Sequence, residues 1–174
     1  MKKRIFGLIL FWIWMVLLGQ VTAGEAVSSE PNNIGELLKA KGVEWLTDKW
    51  EATTDKGEKA QAEFTLEMDG YVICCDARVE QNKYRGLMFY VPSKGHIVNA
   101  GADNRGGNFA GTCEIKDGKL VMNLELTTAD GAITKFTRYL SRIDSDTMKS
   151  ETYVFVDGKR PEQPTGIFEF KRKK

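Results

Sequence analysis

Six dipeptides ending in glycine punctuate the chain: Lys56-Gly57, Asp69-Gly70, Lys94-Gly95, Asp117-Gly118, Asp130-Gly131 and Asp157-Gly158. Between them run short segments in which apolar and polar residues alternate. Asp-Gly suits tight hairpins because both central residues take positive φ, which glycine adopts freely and aspartate tolerates. No long helical period follows Trp45, and no strand–helix alternation. The spacing predicts an antiparallel meander of roughly nine strands.

The registers of these hairpins can be worked out in advance. A two-residue loop at Asp69-Gly70 sets Met68 opposite Tyr71, Leu66 opposite Ile73 and Phe64 opposite Cys75, all on one apolar face. Glu63, Thr65 and Glu67 then share the other face with Cys74, Asp76, Arg78 and Glu80. Asp117-Gly118 pairs Ile115 with Leu120 and Cys113 with Met122, again with the charges outward. A slip of one residue would bury charge in both hairpins, so the pattern selects this register.

A sheet with one apolar face must cover it. The only helical signal is "NIGELLKAKG": Asn33 as N-cap, Ile34, Leu37 and Leu38 on one face, and Gly42 as the stop. So short a helix cannot cover the sheet, whereas closure covers the face and removes the edges. The expected fold is all-β, an antiparallel up-and-down β-barrel or strongly curled meander with one short N-terminal helix. A β-sandwich is the alternative.

The N-terminus carries a different signal. Lys2, Lys3 and Arg4 precede an apolar run from Ile5 to Leu18, and Val21-Thr22-Ala23 offers small residues for cleavage after Ala23. This is the pattern of a secretory signal peptide, and the apolar run is shorter than the ~20 residues of a spanning helix. The expected layout is a signal peptide over 1–23, a flexible lead-in over 24–33 and one domain over 34–174. Loss of Lys2, Lys3 and Arg4 takes the net charge of +1 to the acidic side. Nucleic acid is not an expected partner, nor is stable membrane insertion after cleavage. The expected location is periplasmic or extracellular.

Three cysteines are present. Cys74 and Cys75 are neighbours on a strand, so they face opposite sides and cannot clasp one metal together. There is no Cys-x-x-Cys and only one histidine, His96, so neither a metal nor another cofactor is expected. Cys75 and Cys113 share the inward face. In an oxidising compartment they are either a candidate disulfide or two small buried apolar groups, with Cys74 an exposed odd thiol.

The strand "AITKFTRYLSRI" carries the most specific interior signal. A three-residue loop closing on Gly131 pairs Leu126 with Thr134, Leu124 with Phe136, Met122 with Arg138 and Leu120 with Leu140. Arg138 then points inward among apolar groups; a two-residue loop would turn Lys135 inward instead, and either way the buried cation needs a partner. In the next strand, Glu151, Tyr153 and Phe155 are expected on the matching face. The candidate ligand site is therefore Arg138, Glu151, Tyr153, Met122 and Phe136, able to hold a carboxylate or hydroxyl; the alternatives are an internal salt bridge or a flare of the strand that puts Arg138 in solvent. In "GADNRGGNFAG", Gly106, Gly107 and Gly111 read as a bend with close packing, and Asp103, Asn104 and Arg105 as rim residues. Ser93 has no nucleophile motif around it. No spacing forces two carboxylates together, so no catalytic residue is assigned.

The segments "WLTDKWEAT", "YRGLMFYVPSKGHIVNAGADNRGGNFAGTCEIKDGKLVMN" and "ITKFTRYLSRIDSDTMKSETYVFVDGK" resemble a group of exported bacterial lipocalin-like domains of unknown function. Trp45, Trp50, Gly86, Tyr90, Gly106, Gly107, Gly111, Asp144, Asp146 and Thr147 carry the resemblance, over roughly residues 43–173. Val91-Pro92 and Lys49 depart from it. The resemblance implies a calycin-like barrel; no catalytic residues are established for the group, so none is carried over. Three functions follow in order: an exported barrel binding a small apolar or amphipathic molecule, an interaction module whose barrel is filled by Phe64, Met68, Tyr71, Met122 and Phe136, and an enzyme using Arg138, Glu151, Tyr153 or His96.

Overall fold

The registers written into the hairpins carry through to a closed sheet. The computed structural model describes residues 30–53 and 57–174. The expected signal peptide and most of the lead-in lie outside them. Ten strands run in sequence order: β1 (Lys49–Thr53), β2 (Lys59–Glu67), β3 (Val72–Val79), β4 (Asn82–Val91), β5 (His96–Asp103), β6 (Asn108–Lys116), β7 (Lys119–Thr127), β8 (Ile133–Arg142), β9 (Thr147–Val154) and β10 (Gly166–Arg172). Every neighbouring pair is antiparallel, and β1 closes on β10. The fold is an up-and-down β-barrel, one strand richer than expected.

Closure is made by the shortest ladder. Only Trp50↔Arg172 and Glu51↔Lys171 pair across the β1–β10 seam. Arg172 reinforces it by an ion pair with Asp48, a hydrogen bond to the Ser145 carbonyl and a guanidinium 5.0 Å from the centre of the Trp50 ring. Trp50 itself is buried, and its Nε1–H donates to the Leu46 carbonyl at 3.2 Å. A buried indole must find such a partner, because an unmatched N–H in the core costs ~1–3 kcal/mol.

The helix α1 (Ile34–Ala40) begins where expected, with the Asn33 side chain accepting from the Glu36 backbone N–H. Ile34, Leu37 and Leu38 are buried, as are Val43, Trp45 and Leu46 in the turn that follows. These six side chains form the floor of the barrel, and α1 lies against β3 and β4. A seven-residue helix has no independent stability; burying each large apolar side chain contributes ~1.5–3 kcal/mol, and that packing holds α1 in the fold.

The β2–β3 register is as expected at Phe64↔Cys75 and Leu66↔Ile73. The corner itself differs. Met68, Asp69 and Gly70 all take positive φ in a wider turn, so Met68 (71 % exposed) and Tyr71 (55 %) leave the apolar face and stand in solvent. Leu66, at the floor end beside α1, is also exposed. The β6–β7 and β7–β8 registers match the expected ones throughout, including Met122↔Arg138. The loop before β8 closes by Thr128 N–H donating to the Ala132 carbonyl at 2.9 Å, which leaves three residues in the turn.

The Gly-rich segment does what close packing requires. A Cβ at Gly101 would lie 2.2 Å from the Arg85 carbonyl oxygen and 2.4 Å from Cζ of Phe109, and one at Gly111 would lie 2.0 Å from the Asn123 carbonyl oxygen. At both positions a neighbouring strand or ring occupies the space a side chain would need.

Candidate functional site

Inward side chains divide the barrel into two halves. Near the floor, Ile73, Met88, Ile97, Cys113, Leu120, Leu140 and Met148 are buried and pack into one core with the α1 residues. Towards the other end, at the 80–81, 104–107 and 128–132 connections, Ala60, Ala62 and Leu124 remain buried, but Ala77, Val79, Tyr84, Phe109, Leu126, Phe136, Thr152 and Phe168 are half-exposed. The filled-barrel reading fits only the lower half, where Phe64 and Met122 are buried. The upper half, here called the cup, is less completely filled, and its side chains keep partial access to solvent.

Arg138 sits at the level where core gives way to cup. Its register neighbours are Met122 and Thr152. Its Nε–H donates to Oγ1 of Thr152 at 3.0 Å, and its guanidinium lies 5.5 Å from the centre of the Phe136 ring. Among the described residues no carboxylate pairs with it. No buried side-chain nitrogen or oxygen among them lacks a hydrogen-bond partner, and Arg138 as a whole is half-buried, so its terminal donors keep some access to solvent. Protein nonetheless surrounds the group closely, and burial lowers its pKa, with Cys75 and Tyr84 as the nearest polar influences in the opposite direction. A cation held in this way is a standing donor set for an anion.

The expected companions of Arg138 are elsewhere. Tyr139 pairs with Glu151 and Thr137 with Tyr153, so both Glu151 and Tyr153 lie on the outer face. Glu151 forms an ion pair with Lys149 at 2.9 Å. The Tyr153 ring meets Tyr139 edge-on at 5.6 Å and carries the Arg160 guanidinium 4.1 Å from its centre. The expected Arg138–Glu151–Tyr153 patch is therefore not assembled. The hydrophobic pattern of β9 misleads here: its inward positions are Met148, Ser150, Thr152 and Val154, so polar side chains stand beside Arg138 and the aromatic residue points out. Met122 and Phe136 do sit on the inward face with Arg138.

Sequence reasoning missed Thr152, Tyr84, Phe109 and Phe168. Tyr84 had a legible signal, since it lies one inward step above Gly86 and pairs with Asp103 at the mouth. There Arg105 donates to the Tyr84 hydroxyl at 3.4 Å and to the Asp103 carboxylate at 3.0 Å. Asp103 also accepts from the backbone N–H groups of Arg105 and Gly107, each at 2.8 Å, and these bonds hold its pKa below the usual carboxylate range. Asn104 bridges the Lys83 N–H and the Gln81 carbonyl. These rim residues brace the mouth. His96 begins β5 at the floor end, paired with Val91, away from Arg138.

All three cysteines are free thiols. The candidate Cys75–Cys113 bridge is not formed. Burial pushes Cys75 up to about 12 despite the nearby Arg138 cation. Burial likewise raises Cys113 to about 12 against a hydrogen bond from Asn99. Cys74 faces outward as expected but is not exposed: it is buried between Thr65 and Leu87 on the flanking strands, and burial followed by the Asp76 charge raises its pKa. No group of three or more metal-ligating side chains occurs among the described residues. A scan against protein-family models finds no match, and no curated protein matches the sequence.

Proposed function

We propose that this chain is an exported, lipocalin-like binding barrel that takes a small amphipathic molecule with an anionic head. The head sits on Arg138 beside Thr152, and the apolar body lies along Phe136, Phe168, Leu126 and Phe109 towards the mouth. The observation that carries the reading is a guanidinium with no carboxylate partner among the described residues, at the base of a half-exposed, largely apolar interior. Ligand sites have this composition: apolar walls with a few polar groups that fix orientation. The reading makes the chain a carrier or scavenger in the periplasm or outside the cell. It requires neither cofactor nor nucleic acid.

Calorimetric titration tests it. A medium-chain carboxylate and the alcohol of equal length are titrated into the wild type and into Arg138→Met. A hydrogen bond to a charged group contributes ~1.5–3 kcal/mol, or about ten- to a hundredfold in affinity. The carboxylate should bind tighter than the alcohol by that factor, and Arg138→Met should erase the difference. Equal binding of both by the wild type would remove the anionic head from the account. Binding of neither would remove the cup.

A further inference from the structure

The outer face of β3–β6 carries two adjacent rows without a charge. Register places Val72, Phe89, Val98 and Thr112 in one row and Cys74, Leu87, Ala100 and Ala110 in the next. Leu87 is 47 % exposed and Phe89 40 %, and Ala100 and Ala110 are open to solvent. Large side chains stand on β4 and small ones on β5 and β6. A second feature adjoins them. Above these rows, on the outer face of β1–β5, lies an open trough of ≈ 640 Å³. In its walls Lys49 pairs with Glu63 at 3.1 Å and Arg85 with Asp76 at 2.8 Å. Of the other charges lining it, Asp103 is paired with Arg105 at 3.0 Å, and Arg78, Lys83 and Lys173 are the remaining cations. Below the rows, the β2–β3 corner carries Glu67, Met68, Asp69 and Tyr71, all exposed.

We infer that this face docks a second copy of the same chain about a two-fold axis lying across the strands. Such an axis turns the top of one face onto the bottom of the other. The acidic, apolar-tipped corner of each copy then meets the basic trough of its partner. In the middle, the Leu87 and Phe89 shelf of one copy lies over that of the other, flanked by the alanine rows. A standard interface takes ~20–30 residues and about 800 Å² a side. The eight uncharged residues alone fall short of that, and the trough and corner supply the rest. An isologous contact needs one patch complementary to itself under rotation, and here both charge and shape reverse from top to bottom.

Sedimentation equilibrium over a concentration series tests the inference, read on the wild type, Leu87→Glu, Ala100→Glu, Lys83→Glu and the Lys83→Glu/Glu67→Lys pair. The wild type should reach twice the chain mass. Leu87→Glu and Ala100→Glu should both remain at the chain mass with the far-ultraviolet dichroism of the wild type. Lys83→Glu should weaken association at least tenfold, and adding Glu67→Lys should restore most of it. A wild type that stays monomeric at all concentrations, including one that instead floats with phospholipid vesicles, would overturn the inference. So would dimers that survive both glutamate substitutions, or a charge-reversed pair no tighter than Lys83→Glu alone.

Discussion

Replacing Arg138 by methionine should make the ligand-free protein more stable and a poorer binder. Several kcal/mol of effective desolvation penalty attach to an ion taken out of water without a counter-charge. The offsets seen here are one hydrogen bond, from Nε to Thr152 at 3.0 Å, and one ring contact with Phe136 at 5.5 Å. Those contribute ~1.5–3 and ~0.5–2 kcal/mol. The cup admits solvent to the terminal nitrogens, which trims the penalty. Methionine has similar length, restores apolar contact with Met122 and Phe136, and leaves the Thr152 hydroxyl within reach of the cup. The net expectation is a gain of about 1–2 kcal/mol, in line with apolar replacement of other buried charges. For a domain of this size each kcal/mol moves Tm by roughly 2–4 °C. Urea unfolding of delipidated wild type and variant measures the change, and carboxylate titration of the same samples measures the loss of affinity. A variant destabilised by more than ~1 kcal/mol would refute the reasoning, because Arg138 would then be a strut whose bonds outweigh its burial.

Two other perturbations follow from the structure. Cys75 and Cys113 carry pKa values raised from 9.0 to about 12, so the folded state holds their protons more tightly than the unfolded one. That stabilisation is complete below pH 9 and drains away as pH rises towards about 12, with each thiol removing ~1.4 kcal/mol per pH unit. Unfolding midpoints in urea from pH 8 to 11 should fall steeply for the wild type and less so for Cys75→Ala/Cys113→Ala, while native protein at pH 7.5 should show no thiol that reacts with Ellman's reagent within minutes. Gly101→Ala would force a Cβ to within 2.2 Å of the Arg85 carbonyl and 2.4 Å of the Phe109 ring. Part of that contact is backbone and cannot rotate away, so a loss of more than ~3 kcal/mol is expected in the same unfolding assay.

Much of this architecture was legible in the sequence because its turns are explicit. Asp117-Gly118 fixes the register on either side of it, whereas Asp130-Gly131 allows a two- or a three-residue loop; the three-residue loop forms, and Met122 meets Arg138. Asp69-Gly70 fixes the register of the strands but not the width of the corner, so Met68 and Tyr71 moved from core to solvent. No glycine stands between β8 and β9. Their connection is Ile143–Asp146, held by Ile143 N–H on the Thr147 carbonyl and Asp146 N–H on the Asp144 carboxylate. That geometry depends on side-chain hydrogen bonds that alternation of polarity does not encode, and the site companions of Arg138 were misassigned by one residue as a result. The shelter around Cys74 was hidden for a related reason. Strand alternation reports which way a side chain points, not how closely Thr65 and Leu87 stand beside it.

Native mass spectrometry of the protein isolated from the cells that make it addresses the central claim most directly. A barrel with an unsatisfied cation at the base of its cup should carry an acidic adduct of a few hundred daltons, retained by the wild type and absent from Arg138→Met. Bare chain mass in every preparation, or an adduct that Arg138→Met holds equally well, would contradict it.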